Sequence, residues 1–283
     1  MNKIEIENRI KELEKELKQV SVTTDSIKIS VNGSFGKLGS KYSALYAPDL
    51  MLQVTITGQL ALLMLIERIE SVGIPVVSAN TDGIVMKCPK VRYDELNLII
   101  EQWENDTNFK TEETQYKAVY SRDINNYIAV KTDGKCKTKG AYNNPWSDHK
   151  SAIFRFHKNP QTTICIEAVV ELISKGNEIE KTISNCNEIS KFVAVRNVKG
   201  GAVKSGKYLG KVVRWYYAKG EQGYIEYKVN GNKVPKSDGG KPCMGLPAEF
   251  PNDIDYDWYI KEAEGILFDI GYYKKATPGK LFF

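Results

Sequence analysis

Two short groups of residues in this chain have the types and spacing that phosphate and metal chemistry need. The first is Lys28-Ile-Ser-Val-Asn32-Gly-Ser-Phe35-Gly36. With a helical backbone from Ile27 onward, Lys28, Asn32 and Phe35 recur at i, i+4 and i+7, so an ammonium, an amide and an aromatic ring point the same way. The ammonium neutralises phosphate oxygens, and the ring beside a glycine leaves a flat surface for a base pair, so the set suits a nucleoside triphosphate. The same spacing also fits a surface lysine and a core phenylalanine. The second group is Asn80-Thr81-Asp82-Gly83. A carboxylate at a hairpin tip reaches a bound metal with no side chain in its way, as magnesium-dependent phosphoryl transfer requires. Asp82 fits equally as a residue that tolerates turn geometry.

These groups need elements to hold them. Residues 4–20 place Ile6, Ile10, Leu13 and Leu17 at helical spacing with charges between them, an amphipathic helix that needs a partner surface. Thr23-Thr24-Asp25 is expected to break it, with Asp25 or Ser26 capping a second stretch, which makes a helical hairpin. After Pro48 a long segment, apolar on more than one side, reads as a buried helix ended by Gly73. Val76-Val77-Ser78 and Ile84-Val85-Met86 flank the acidic tip as a β-hairpin. A helix is expected from about Tyr93 to Asn105. A basic hairpin turning at Asp133-Gly134 comes next, then a domain boundary near 150. Beyond it come helices over 163–175, around 185–192 and over 256–270, among glycine-rich and aromatic stretches. The fold class is α+β.

Composition is that of an ordinary globular protein: 42% apolar and 27% charged over 283 residues, enough for one large or two modest domains. Forty Lys and Arg against thirty-five Asp and Glu leave only +5, so placement matters more than total. Lys131, Lys135, Lys137 and Lys139 form one basic cluster, and Lys199, Lys204, Lys207, Lys211 and Arg214 another. Such asymmetry is compatible with a polyanion, or with a solvated face. Five scattered cysteines without a C-x-x-C pair point to a reducing compartment and to no zinc site. The opening Met1-Asn2-Lys3-Ile4-Glu5 has no apolar leader region. The apolar run over 60–66 is too short to span a bilayer, so a cytoplasmic location and no membrane are expected.

The order of a K-x-x-x-N-x-x-[FY]-G helix, a long apolar helix and a β–T-D–β hairpin resembles the family B DNA polymerases, particularly those of bacteriophages and related mobile elements. Lys28, Asn32, Ser34, Phe35 and Gly36 follow their K-x-x-x-N-S-x-Y-G fingers pattern, with Gly33 where the family has serine. Asn80-Thr81-Asp82-Gly83 stands where the family has D-T-D-S in the palm. The resemblance implies that Asp82, at the second acidic position, binds catalytic Mg2+, and that Lys28, Asn32, Phe35 and Gly36 meet the incoming deoxynucleoside triphosphate. It divides the chain into partial fingers (1–47), the second half of the palm (48–150) and a thumb (151–283). Asn126 and Tyr127 with Lys131, Lys137 and Lys139, in the hairpin 117–140, resemble the family's primer grip, with asparagines in place of its basic pair. Lys204 and Lys207 resemble thumb residues that hold a duplex backbone.

The resemblance also implies what this stretch does not contain. The family's other metal-binding aspartate lies in a D-x-x-S-L-Y-P-S strand, and that motif does not occur here. The expectation is therefore the C-terminal part of a polymerase whose N-terminal half, with the exonuclease and first palm strand, lies on a separate chain. A phage-encoded enzyme would work in the host cytoplasm. Its reaction is template-directed extension of a DNA primer, with little activity from this chain alone. The alternative is an inactive DNA-binding remnant of such a polymerase.

Overall fold

A computed structural model describes residues 3–158 and 161–273. Its elements mix seven α-helices with nine strands in small antiparallel sheets among the described residues, an α+β fold as expected. The chain divides into two compact units, 1–112 and 113–283. The boundary expected near 150 therefore falls elsewhere: Ile128 and Tyr142 share a core with Phe156, Ile164 and Trp215, which ties the basic hairpin to the later helices and strands.

The first unit opens with α1, Lys3–Leu38, a single 36-residue helix of about 54 Å. The expected break at Thr23-Thr24-Asp25 is absent. Thr23, Thr24 and Ser26 donate their hydroxyls to the carbonyls of Gln19, Val20 and Val22 at 2.8–2.9 Å, so these polar side chains are satisfied inside the helix. Back-bonding of this kind satisfies the hydroxyl donors without the chain leaving the helix.

Helix α2, Pro48–Ser71, begins on a proline at its first turn and stops where Gly73 takes φ +78°. Gly73 N donates to Glu70 O at 2.8 Å and Ile74 N to Ile69 O at 3.3 Å, a Schellman closure sealed by the buried Ile69 and Ile74. The expectation of a buried helix holds only for its C-terminal end. Leu65 and Ile69 are buried against Leu96 and Trp103 of α3, Tyr93–Thr107, while Leu50, Leu52, Val54, Ile56, Leu60 and Leu63 are exposed. Trp103 Nε1 donates to Ala61 O at 2.7 Å and Arg68 pairs with Asp106 at 2.6 Å. By length and composition α2 could also cross a bilayer, contrary to the expectation from its shorter apolar run. Its C-terminal end nevertheless places Leu65 and Ile69 in a protein core. The hairpin β1 (Val76–Asn80) and β2 (Gly83–Met86) packs Val76, Ile84 and Met86 on the same cluster, and neither of its edges pairs with a further strand among the described residues.

The second unit has a larger core. A three-stranded sheet, β3 (Tyr116–Asp123), β4 (Asn126–Lys131) and β5 (Cys136–Thr138), precedes the short helix α4, Ala152–Lys158. Helix α5 spans Thr163–Lys175, as expected, and ends on Gly176 at φ +76°. The helix expected around 185–192 is instead α6, Ile179–Ser184, with a separate 3-10 turn at Ile189–Lys191. The paired strands β6 (Ala194–Lys204) and β7 (Lys207–Tyr217) carry β8 (Glu226–Tyr227) and β9 (Gly240–Pro242) on their outer edges. Helix α7, Tyr256–Asp269, starts where Asp255 accepts from Trp258 N. Tyr259 ties these layers together: its buried hydroxyl donates to Phe192 O at 2.8 Å and accepts from Tyr217 N at 2.9 Å.

Candidate functional site

On α1, Lys28, Asn32, Phe35 and Gly36 fall on one side of the helix, as the i, i+4, i+7 spacing dictates, and all four are exposed. Lys28 and Asn32 make no side-chain hydrogen bond or ion pair among the described residues, and Phe35 belongs to no buried cluster. Phe35 is therefore not a core residue among the described residues. Gly33 and Gly36 are informative in a different way. Each sits inside a helix, where glycine is unfavourable by about 0.5–1 kcal/mol relative to alanine. A Cβ at either would meet nothing within 4 Å. Packing among the described residues gives no reason for a glycine at either position.

The acidic tip is built as expected. Asn80 pairs with Gly83, leaving Thr81 and Asp82 as a two-residue loop. Thr81 N donates to Asn80 Oδ1 at 2.7 Å, so Asn80 braces its own turn. Thr81 Oγ1 lies 3.4 Å from Asp82 Oδ1, and Asp82 is exposed. Among the described residues no three His, Cys, Asp or Glu side chains gather to hold a metal. Asp82 offers a single carboxylate at the tip, with no second one grouped beside it into a metal cluster among the described residues. No hydrogen bond or ion pair among the described residues joins Asp82 to the α1 group.

In the second unit the basic hairpin is present, though one of its expected contact residues has another task. Asn126 Nδ2 donates to both oxygens of Asp123 at 2.7 and 2.9 Å, and Asn126 Oδ1 accepts from Ala141 N at 2.7 Å. Its amide is thus spent on the β3–β4 turn, and the hydrogen bond from Asn126 holds the Asp123 carboxyl below its ordinary range. Gly140, at φ +61°, packs on this turn so closely that a Cβ would collide with Asn125 O and Asn126 Oδ1. Tyr127 is half-buried opposite Ser121. Lys131 and Lys137 are half-buried, Lys137 Nζ lying 3.5 Å from Tyr116 Oη, and Lys139 is exposed.

Lys204 and Lys207 differ sharply. Lys207 is exposed, after a Ser205-Gly206 turn with both φ values positive. Lys204 is 7% exposed and donates to Glu221 at 2.5 Å and Gly240 O at 2.7 Å, so the expected backbone contact is corrected to a buried ion pair. The preceding glycines are structural too. A Cβ on Gly201 would lie 2.5 Å from the Tyr208 ring, over which Lys228 sits at 4.9 Å. Arg214 stands in the second basic cluster with no role that its sequence context suggests. It is buried over the Phe156 ring with an unpaired Nε, reaches only His157 O at 3.4 Å, and has no acidic partner among the described residues. Burial lowers its pKa. Nothing in the local sequence separates it from the surface lysines around it.

No family model matches the chain. A stretch of 121 residues, 42% of the chain, is 28% identical to DNA polymerase 1 of Sulfolobus acidocaldarius and covers 14% of that protein. The similarity is weak and partial, and it supports a relationship to DNA polymerases and a nucleotidyltransferase kind of enzyme.

Proposed function

We propose that this chain is the C-terminal part of a family B-type DNA polymerase of the phage or mobile-element kind and takes part in template-directed DNA synthesis. The observation that carries the reading is the exposed α1 face. There Lys28, Asn32 and Phe35 stand beside Gly33 and, in the last turn, Gly36, whose Cβ positions are open among the described residues. A triphosphate held by an ammonium, with a base pair stacked against a ring and bare backbone, uses each of those features. The exposed Asp82 and the partial likeness to a DNA polymerase point to the same chemistry.

In this reading the primer's terminal hydroxyl attacks the α-phosphate of a deoxynucleoside triphosphate, and pyrophosphate leaves. Lys28 holds the phosphates, Phe35 and Gly36 meet the nascent base pair, and Asp82 contributes one carboxylate toward Mg2+. Bound magnesium supplies neutralisation of the charge that develops on the transferring phosphate. The second carboxylate comes from a polypeptide outside this sequence. The edges of the β1–β2 hairpin, unpaired among the described residues, are where a strand can add. Tyr127, Lys131, Lys137, Lys139 and Lys207 contact the primer–template through its backbone, without reading sequence.

The test is primer extension with magnesium and all four deoxynucleotides. It uses this chain alone, then with a polypeptide bearing the D-x-x-S-L-Y-P-S strand, and then with Asp82→Ala in that mixture. Synthesis in the mixture alone, abolished by Asp82→Ala, is the expected result. Duplex binding with no synthesis under any condition would replace the enzyme by a DNA-binding remnant.

A further inference from the structure

Helix α1 carries a second pattern that the nucleotide face does not use. Ile6, Ile10, Leu13, Leu17 and Val20 alternate spacings of four and three, and Thr24, Ile27 and Val31 continue the alternation without a slip. That is a heptad repeat with Ile10, Leu17, Thr24 and Val31 at one core position and Ile6, Leu13, Val20 and Ile27 at the other. It runs for roughly three and a half heptads, the length at which such a repeat argues for a coiled coil. The apolar stripe is uncovered: Leu13 is 47% exposed, Leu17 71% and Val20 63%.

We propose that two copies of this chain associate through α1 as a coiled coil over residues 6–31. Charge suits a second copy. In a parallel pair the flanking positions place Arg9, which also pairs with Glu12 of its own helix at 3.0 Å, across from Glu14 of the other copy, twice by symmetry. Glu16 and Lys28 then face Ser21 and Thr23. An antiparallel pair at fullest overlap places Lys28 across from Glu7, and Arg9 across from Ser30. Neither arrangement brings like charges together along the seam. This inference does not rest on the polymerase reading: it rests on the repeat, its exposure and the charges flanking it, of which Lys28 alone belongs to the nucleotide face.

The experiment is sedimentation equilibrium of the full chain at micromolar concentrations, with circular dichroism to follow helicity. Leu13→Glu and Leu17→Glu are expected to weaken the dimer at least about tenfold, because each puts a charge in the seam. Val22→Glu and Ile29→Glu lie on the opposite side of the same helix, are 58% and 73% exposed as wild type, and should leave association unchanged. Oxidation should cross-link Leu13→Cys to itself in a parallel pair, or Leu13→Cys to Thr24→Cys in an antiparallel one. A monomer at all concentrations overturns the proposal. So does a dimer weakened equally by the control substitutions, or one in which neither cysteine combination cross-links. Association solely with a polypeptide bearing the D-x-x-S-L-Y-P-S strand would overturn it too and reassign the seam to that partner.

Discussion

The two units solve the problem of apolar surface in opposite ways. The second unit, 113–283, buries Phe156, Phe192, Trp215, Tyr259 and Leu267 in one cluster, with helices packed against sheet. The first unit, 1–112, has a small core around Leu65, Ile69, Ile74, Leu96 and Trp103. It leaves the apolar side chains of α1 and half of α2 exposed. Amphipathic pattern thus states a need for cover without supplying it. Where the chain supplies the cover, stability is its own property. Where it does not, the apolar face stays exposed. The candidate nucleotide face and the acidic tip both lie on the unit with the smaller core.

That contrast can be broken most directly by matched truncations. Leu267→Ala removes a fully buried side chain and should lower the stability of the second unit by about 2–5 kcal/mol in denaturant unfolding. Leu63→Ala, on the exposed stretch of α2, should change stability by no more than about 0.5 kcal/mol. Equal losses at the two sites would erase the distinction. Next in size, Tyr259→Phe keeps the ring but strands Tyr217 N and Phe192 O, for an expected loss of about 2–4 kcal/mol. The second-unit transition seen by near-ultraviolet dichroism should move while α1 helicity holds.

Arg214→Met tests whether the buried, acid-free guanidinium costs stability. Replacement by an apolar chain of similar length should be neutral or raise the stability by about 1 kcal/mol. The smallest effect expected is electrostatic and belongs to the first unit. Hydrogen bonds from Thr111 N, Thr111 Oγ1 and Lys110 hold the Glu104 carboxyl down at about 2 against an ordinary 4.5. A depressed carboxyl stabilises the fold above its unfolded pKa, and that contribution is lost as pH falls through about 2. Glu104→Gln should therefore be slightly destabilised at neutral pH, with the gap to wild type closing as pH falls from about 4.5 toward 2. An unchanged gap at pH 2 would refute the assignment.

Some features are legible in the order of residues alone, because their cause is local. Proline at the start of α2 and glycine after its end mark that helix, and the spacing of Val76-Val77-Ser78 and Ile84-Val85-Met86 marks the hairpin and its Asp82 tip. The common face of Lys28, Asn32 and Phe35 follows from helical periodicity. Other features are not legible. The Thr-Thr-Asp segment reads as a break until its hydroxyls are seen bonding to carbonyls one turn back. The long β6–β7 pair reads only as a glycine-rich and aromatic stretch, because its bulge and its Gly201–Tyr208 contact are cross-strand facts.

Where helices and hairpins form, and which functional groups share a face, depends on neighbours a few residues away, and the order of residues carries that information. Which of those groups are free to act is settled by the packing of distant segments. Lys204 and Lys207 are three residues apart and chemically identical, yet one is locked to Glu221 and Gly240 inside the sheet while the other meets solvent. Asn126 is likewise consumed by Asp123 and the backbone of Ala141, fifteen residues along the chain. Availability for binding depends on what long-range packing leaves unpaired, and no local pattern of residue types encodes that.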